Sequence, residues 1–259
     1  MLRPYDVAVA VAGYRADDSA WVRRLRPSSG RARLVCFPHA GGAASYFDPF
    51  ARALDGAVDV VALQYPARQE RLSEPCIDSV LGLRDAILPV LEARLDQPFA
   101  LFGHSMGAVV AYEVARLLEQ RHGAVPVALF ASGRRSPSTQ RHEDVHRGGD
   151  DRLLREVARL GGTPPQLLDD EDVRAMMLPA LRGDHKAIET YRWQPGPEPS
   201  CPILALVGDA DPLTSEADAA AWRAHTTGDF SLRTYAGGHF YLAAHQASLV
   251  DLVTDALCP

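Results

Sequence analysis

The chain has 259 residues, 47% hydrophobic and 23% charged, which is typical of a soluble globular protein and long enough for one large domain. Its formal net charge of −6 argues against general nucleic-acid binding, and no apolar run approaches the roughly 20 residues that a membrane-spanning helix needs. Its four scattered cysteines have no metal-ligand spacing, which favours free thiols and a cytoplasmic location.

The N-terminal stretch through about residue 20 is polar and poorly patterned, and we interpret it as an arm. Residues 21–259 then form a single domain. The phrase WVRRLRP, which begins at Trp21, predicts an additional edge strand at the start of that domain.

Short apolar runs alternate with helix-like segments along the rest of the chain. The runs are RLVCF, VDVVALQY, FALFG, VALFASG, PILALVG and SLRTYAG. Strands that are buried on both faces read as continuous apolar runs, and helical crossovers join parallel neighbours. The sequence therefore predicts an α/β fold with an open, mostly parallel sheet and helices on both faces.

One interval, from about residue 136 to 199, lacks any convincing strand. Its helical segments are DDRLLREVARLGG and DDEDVRAMMLPALRGDHKAIETYRW. Asp169 and Asp170 are good N-cap residues, and Pro179 should break or kink the second helix. The interval is too long for a simple crossover, so we expect a helical lid at the strand ends; a decorative insertion or a partner-binding unit is the alternative.

The sequence Gly103-His104-Ser105-Met106-Gly107 lies between an apolar β-like run and a long helix. G-x-S-x-G in this context is the nucleophile-elbow pattern, in which a tight turn exposes the serine at a helix N-terminus. The pentapeptide alone is weakly specific, but its position between strand and helix favours Ser105 as a nucleophile.

An acid and then a histidine are expected after later strands, because a serine hydroxyl needs a base to take its proton. Asp209 and Asp211 compete for the acid. Asp209 leaves the strand directly and fits a turn role, whereas Asp211 lies further out in the loop and is our candidate. His239 follows the last strand in a glycine-rich loop, so we assign it as the base.

The segment Pro38-His39-Ala40-Gly41-Gly42 follows the first strong strand, where a second oxyanion donor is expected. We predict that the backbone N–H groups of Ala40 and Met106 hold the negative oxygen of a tetrahedral intermediate. His39 and His104 are interpreted as supporting residues. Acyl transfer by this set requires neither a metal nor an organic cofactor.

Several phrases together make the chain resemble a type II thioesterase of polyketide or nonribosomal peptide biosynthesis, a member of the α/β-hydrolase superfamily. They are WVRRLRP, LVCFPHAGGAASYF, ALQYPARQERL, FALFGHSMGA, LRGDHKAIETY, GDADPLT and YAGGHFYL. The resemblance runs from about Trp21 to the C-terminus, and the N-terminal arm has no recognised counterpart.

The resemblance implies a discrete enzyme that acts in trans on the phosphopantetheine arm of acyl or peptidyl carrier proteins and removes aberrant or stalled acyl groups. It also implies the triad Ser105, Asp211 and His239, with Ala40 and Met106 as oxyanion donors, and a flexible lid over an acyl chamber. Met176, Met177 and Leu178 are candidates for the apolar lining of that chamber, and ordinary packing at helical spacing is an equally good alternative. We expect a monomer that binds its carriers transiently, with no nucleic-acid or membrane partner.

Carrier proteins are usually acidic, so we expect a local basic patch on this acidic chain. Two arginine pairs follow strand ends, Arg68 with Arg71 and Arg134 with Arg135. The alternative is that these arginines merely solvate surface loops.

Three other functions remain open at this point. A small-molecule carboxylesterase would use the same triad on oxygen esters. A product-releasing thioesterase or cyclase would differ only in which nucleophile attacks the acyl-enzyme. A non-catalytic scaffold of the same fold would have no need of the complete set of Ser105, Asp211 and His239.

Overall fold

A computed structural model describes residues 20–26, 28, 30–54, 56, 58–163 and 165–258. The predicted N-terminal arm lies outside these residues except for its last position. The single domain predicted for the remainder contains every element described below.

Seven strands form one sheet. They are β1 Val22–Arg24, β2 Arg33–Phe37, β3 Asp59–Leu63, β4 Phe99–His104, β5 Leu129–Ser132, β6 Ile203–Gly208 and β7 Phe230–Tyr235. Their order is β1-β3-β2-β4-β5-β6-β7, and only β1 is antiparallel to its neighbour. The predicted parallel sheet is confirmed, and the phrase at Trp21 does provide an edge strand.

Eight α-helices accompany the sheet in the part of the chain that the structure describes. They are α1 Asp48–Ala53, α2 Val80–Glu92, α3 Met106–His122, α4 Asp150–Leu160, α5 Pro165–Leu168, α6 Glu171–Thr190, α7 Glu216–Ala220 and α8 Gln246–Leu257. The start of α2 is fixed by Ser79, whose side chain accepts the Gly82 N–H. Ser215 and Asp218 form a capping box on α7. No helix in the described ranges is long and apolar enough to cross a membrane.

The core lies on both faces of the sheet because successive side chains of a strand point to opposite sides. In β2, Val35 and Phe37 pack in the cluster that includes α2 and α3 residues. Leu34 and Cys36 pack instead with residues of α1 and α8. All five β2 residues are buried, so the continuous apolar run RLVCF is explained by burial from both sides.

The interval between β5 and β6 is helical, as predicted, and carries α4, α5 and α6. Asp170 caps α6 by accepting the N–H groups of Asp172 and Val173 at 3.0 Å. The expected break at Pro179 is wrong, because α6 continues through it. Its C-terminal half is held by tertiary packing, with Ala187 buried in the core.

The sheet order reverses around β2, which bonds to β3 on one side and β4 on the other. In open parallel sheets, a crevice outside the carboxyl ends of the strands forms at such a reversal. The loop after β2 and the turn after β4 therefore meet at this crevice, and these segments contain the predicted oxyanion segment and Ser105.

Candidate active site

Ser105 occupies the one-residue turn between β4 and α3. Its backbone has φ 54° and ψ −119°, a conformation that costs a non-glycine residue about 1–3 kcal/mol. Its amide N–H donates to the Ser132 carbonyl of β5 at 2.8 Å, which fixes the turn against the sheet. The side chain consequently stands at the start of α3, where free helix N–H groups favour negative charge.

Gly103 and Gly107, which flank the elbow, are required because other backbone segments approach both positions closely. A Cβ at Gly103 would lie 2.3 Å from the Gly107 carbonyl oxygen, and one at Gly107 would lie 2.1 Å from the Phe37 carbonyl oxygen. Neither oxygen can move without displacing a strand or a helix. The elbow is therefore pressed directly against the end of β2.

We expect Gly107→Ala to lower the free energy of unfolding by about 2 kcal/mol or more. Alanine gains about 1 kcal/mol in helix propensity, but the clash with Phe37 outweighs this gain. Urea unfolding checks the prediction. Gly149→Ala is the matched control, because a Cβ there meets nothing within 4 Å and the change should stay within about 1 kcal/mol. Equal effects of the two substitutions would contradict it.

Asp211 and His239 are brought together at the ends of β6 and β7. His239 Nδ1 lies 2.8 Å from Asp211 Oδ2, and both side chains are buried. Asp211 Oδ1 also accepts the Leu213 N–H at 2.8 Å, which orients the carboxylate. With Nδ1 engaged by the carboxylate, Nε2 is the nitrogen left to accept a proton.

Asp209 has the turn role that we predicted for it. Its Oδ1 accepts the Gly237 N–H at 2.8 Å, which joins the loop after β6 to the loop after β7. The loops are in close contact, since a Cβ at Gly208 would lie 2.4 Å from the Gly237 carbonyl oxygen. This contact sets the position of His239 relative to Asp211.

The predicted oxyanion donors, Ala40 and Met106, line the same cavity as Ser105. Ala40, Ser105, Met106 and His239 all line one cavity at the crevice. Met106 is the first residue of α3, so its N–H has no acceptor within the helix. The arrangement leaves this N–H available for a ligand next to the serine.

The loop that carries Ala40 is held by a buried ion pair, here called the Arg68–Asp184 clamp. Arg68 Nη1 and Nη2 lie 2.7 and 3.0 Å from the two carboxylate oxygens of Asp184. Asp184 Oδ2 accepts the Gly41 N–H at 2.7 Å, and Arg68 Nη1 donates to the Gly42 carbonyl at 2.9 Å. The clamp thus accepts a hydrogen bond from the N–H of Gly41 and donates one to the carbonyl of the next residue, Gly42.

Asp184 belongs to α6, so the clamp also joins the helical insertion to the oxyanion loop. Two further contacts fix the same half of α6. Lys186 pairs with Asp78 at 2.5 Å, and a Cβ at Gly183 would lie 2.3 Å from Cys76 Sγ. The C-terminal half of α6 is therefore a fixed wall of the site.

His39 and His104 are buried beside the site. His104 Nδ1 lies 3.0 Å from Ser132 Oγ, and His39 packs edge-on against the ring of Phe240. Burial, with a further contribution from His239, lowers the pKa of His39 to about 3 and that of His104 well below its usual value. Both imidazoles are neutral near pH 7, so neither adds positive charge next to His239.

The cavity at Ser105 has a volume of about 220 Å³. Its far wall is formed by the helical insertion. Among the three residues of α6 suggested for the lining, Met177 lines the cavity, whereas Met176 is 49% exposed. Charged groups also line it, and they are Arg134, Glu143, Glu156, Arg159 and Glu189.

Glu189, in the cavity wall, makes a pH-dependent contribution to the folding stability of the protein. Burial opposes its ionisation, but hydrogen bonds from His185 and His146 lower its pKa to about 2. A carboxyl with a lowered native pKa stabilises the fold above its unfolded pKa of about 4.3, and this stabilisation is lost as pH falls through the native value.

We therefore expect Glu189→Gln to flatten the fall in unfolding free energy between about pH 5 and pH 2. Urea unfolding at a series of pH values measures this slope. Glu171→Gln, at an exposed position in the first turn of α6, serves as the control. An unchanged slope in Glu189→Gln would contradict the assignment.

The expected surface patch of arginines is wrong. All four side chains are buried, with residue exposures between 4% and 7%; they are Arg68, Arg71, Arg134 and Arg135. Arg71 pairs with Glu74, and Arg135 forms two hydrogen bonds to Glu143 at 2.9 and 2.6 Å. The four arginines lie inside the protein near the strand ends, where Arg68, Arg71 and Arg135 bind the protein's own carboxylates.

The roles of two residues at the site were not predicted from the sequence. Asp184 lies in the phrase LRGDHKAIETY, whose helical periodicity carries no indication of a partner 116 residues away. Arg134 was noticed only as a surface charge. A charged residue on the inward face of a helix was the available indication for Asp184.

Comparisons with known proteins agree with this geometry. The family model described as "Thioesterase domain" matches residues 32–257. The chain is 45% identical to thioesterase PikA5 of Streptomyces venezuelae over 93% of this chain and 86% of that one. It is 41% identical to thioesterase TesA of Mycobacterium marinum, over 86% of this chain and 88% of that protein.

Solved structures give the same result. The type II thioesterase BorB from the borrelidin biosynthetic cluster matches with a TM-score of 0.88 at 45% identity, covering 93% of this chain and 99% of that one. The thioesterase RedJ from the prodiginine pathway in Streptomyces coelicolor matches with a TM-score of 0.81 at 39% identity, covering 88% and 87%.

Proposed function

The chain belongs to the thioesterase family, and from this premise we propose that it acts in trans on acyl thioesters of carrier proteins in polyketide or nonribosomal peptide biosynthesis. It is a thioester hydrolase of the α/β-hydrolase fold. Its task would be to remove aberrant or stalled acyl groups from the phosphopantetheine arm. Similarity to discrete type II thioesterases over nearly their whole length supports this proposal.

The observation that carries the proposal is that Ser105 and His239 line one cavity and that Asp211 binds His239 from behind, with Ser105 in a backbone conformation that serine rarely adopts. We propose that His239 Nε2 removes the proton from Ser105 Oγ as the oxygen attacks the thioester carbonyl. The Ala40 and Met106 N–H groups would hold the resulting oxyanion.

Collapse of the tetrahedral intermediate breaks the carbon–sulfur bond, and the thiol of the arm leaves with a proton from His239. Water then attacks the acyl-enzyme, giving its proton to His239, and the acid product departs as Ser105 regains its proton. Asp211 keeps the imidazole oriented and stabilises its charged form throughout.

The cavity of about 220 Å³ favours short acyl groups, because pockets for drug-sized ligands usually begin near 300 Å³. We further propose that α4, α5 and the N-terminal half of α6 form a lid over this chamber. The carriers would bind transiently to a cytoplasmic monomer. The buried arginines described above do not contribute a docking patch.

Intact-mass spectrometry of an acylated carrier protein tests the proposal directly. The carrier is incubated with the wild-type protein and with Ser105→Ala. Loss of the acyl group only with the wild type, leaving free phosphopantetheine on the carrier, is the expected result. Retention of short and medium acyl groups with both proteins would overturn the proposed function.

A further inference from the structure

His239 reaches Ser105 across two intervening strands. The sheet order places β5 and β6 between β4, which ends at the nucleophile, and β7, which precedes the histidine. Neighbouring strands lie about 4.8 Å apart, so roughly 14 Å separates β4 from β7. The loop after β7 therefore has to cross the ends of β6 and β5, and its contacts there decide where the imidazole lies.

The end of β6 supplies the first of these contacts. Asp211 binds His239 Nδ1, and Asp209 accepts the Gly237 N–H. These hydrogen bonds hold the loop relative to β6. The distance from His239 to Ser105 depends in addition on how the loop is held relative to β5 and β4.

Ser132, the last residue of β5, makes the next contact with its side chain. The residue is fully buried, and its Oγ lies 2.7 Å from the hydroxyl oxygen of Tyr241, which comes two residues after His239. Its Oγ also lies 3.0 Å from His104 Nδ1. Both hydrogen bonds can form together, because a hydroxyl group donates one and accepts another. Ser132 thus ties the loop of the histidine to the end of β5.

The main chain of Ser132 is bound to the nucleophile turn. Its carbonyl accepts the Ser105 N–H at 2.8 Å. The next residue, Gly133, lies against the histidine, since a Cβ there would be 3.4 Å from His239 Cε1. The His104 ring, which Ser132 also binds, packs 5.0 Å from the His239 ring. One residue therefore connects the turn of the serine with the surroundings of the histidine.

We infer that Ser132 is a positioning residue, which sets the distance between Ser105 Oγ and His239 Nε2 through the hydroxyl group of Tyr241. This role rests on the proposed function, in which Ser105 is the nucleophile and His239 the base. A displacement of about 1 Å between reacting groups can lower a rate by about 10²-fold. Ser132 and Tyr241 do not line the cavity at Ser105, so removing their hydroxyl groups should leave substrate binding unchanged.

Tyr241→Phe is the first test, because it removes the hydroxyl group alone. The ring keeps its stacking on Tyr235, with 5.1 Å between the ring centroids. We expect kcat for a short acyl thioester to fall by about tenfold to a hundredfold, with KM within about twofold of the wild-type value. Ser132→Ala should lose at least as much kcat, since it also removes the bond to His104. An unchanged kcat in Tyr241→Phe, or a rise in KM in place of the fall in kcat, would overturn the inference.

The double variant Ser132→Ala with Tyr241→Phe tests whether the two hydroxyl groups act through one contact. Its kcat should equal that of Ser132→Ala, because the contact is already absent in the single variant. Losses that multiply would show that the two groups act separately, and Ser132 would then have no role through Tyr241.

Ser136→Ala is the matched control. Ser136 lies four residues after Ser132, is 2% exposed and has its Oγ 2.8 Å from Thr139 Oγ1. It is thus a buried, hydrogen-bonded serine of the same connection, and its kcat should stay near the wild-type value. An equal fall in Ser136→Ala would reduce the effect of Ser132→Ala to a general loss of packing.

Labelling of Ser105 by a fluorophosphonate separates positioning from damage to the fold. In Tyr241→Phe the label should still reach one equivalent per chain, but its rate constant should fall by about the same factor as kcat. Partial labelling at the wild-type rate would indicate a misfolded fraction and contradict the positioning role. If Ser132→Ala does not fold, Tyr241→Phe carries the test by itself.

The same measurement distinguishes this inference from the proposed function, because the label needs neither a carrier nor a thioester. If the wild type hydrolyses no thioester but Tyr241→Phe slows the labelling, the proposed function fails and the positioning role stands. If the wild type hydrolyses thioesters and both proteins are labelled at the same rate, the positioning role alone is wrong.

Discussion

Asp211→Asn is expected to lower kcat for thioester hydrolysis by about 10⁴-fold with little change in folding stability. Asparagine has nearly the same shape, but it replaces with a neutral amide the carboxylate that lies 2.8 Å from His239 Nδ1. The amide would no longer keep Nδ1 as the hydrogen-bond donor. The imidazole would lose both its orientation and the charge that stabilises its protonated form. Steady-state kinetics on a short acyl thioester measures the loss, and circular dichroism checks the fold.

Asp209→Asn is the natural control, because Asp209 lies two residues earlier in the same loop. Its Oδ1 accepts the Gly237 N–H, and an asparagine oxygen can still do so. Its kcat should stay near that of the wild type. A larger loss in Asp209→Asn than in Asp211→Asn would show that the acid of the triad has been assigned to the wrong residue.

Asp184→Asn is expected to lower kcat by about 10²-fold or more, because the oxyanion loop loses its support. It should also lower the free energy of unfolding by about 3–5 kcal/mol, since Arg68 would remain buried beside a neutral partner. Urea unfolding and steady-state kinetics measure the two effects separately.

The double substitution Arg68→Met with Asp184→Leu distinguishes positioning from stability. Removing both charges should recover most of the stability, as for other buried ion pairs replaced by apolar residues. Activity should remain low, because the Gly41 N–H and the Gly42 carbonyl still lack their partners. Recovery of kcat together with stability would assign the clamp a purely structural role.

Asp150→Asn is the control for Asp184→Asn, because Asp150 forms a surface ion pair with Arg182. It should change the free energy of unfolding by less than about 1 kcal/mol.

The parts of the fold that local sequence determines were predictable. Continuous apolar runs such as RLVCF reflect burial on both faces, and each such run is a strand. The order Ser105, Asp211, His239 could be read because each residue lies in the turn or loop that follows a strand, and parallel strands end at one edge of the sheet. The choice of Asp211 over Asp209 required only the distance of each residue from the end of β6.

Contacts between distant segments were not predictable in the same way. Arg68 and Asp184 are 116 residues apart, and neither local pattern indicates the other. Arg68, Arg134 and Arg135 were placed correctly at strand ends, but their burial depends on the insertion that covers those ends. The position of these arginines in the sequence therefore predicted where they lie in the fold but not which groups surround them. The continuation of α6 through Pro179 likewise depends on tertiary packing.

The pairing of Lys186 with Asp78 has a practical consequence for observing this protein at work. Lys186 is the only lysine in 259 residues, and half of its side chain is exposed. It lies two residues after Asp184, on the half of α6 that supports the oxyanion loop. An amine-directed fluorophore would therefore have a single side-chain attachment point, and its distance from a second probe on α4 could be followed during turnover.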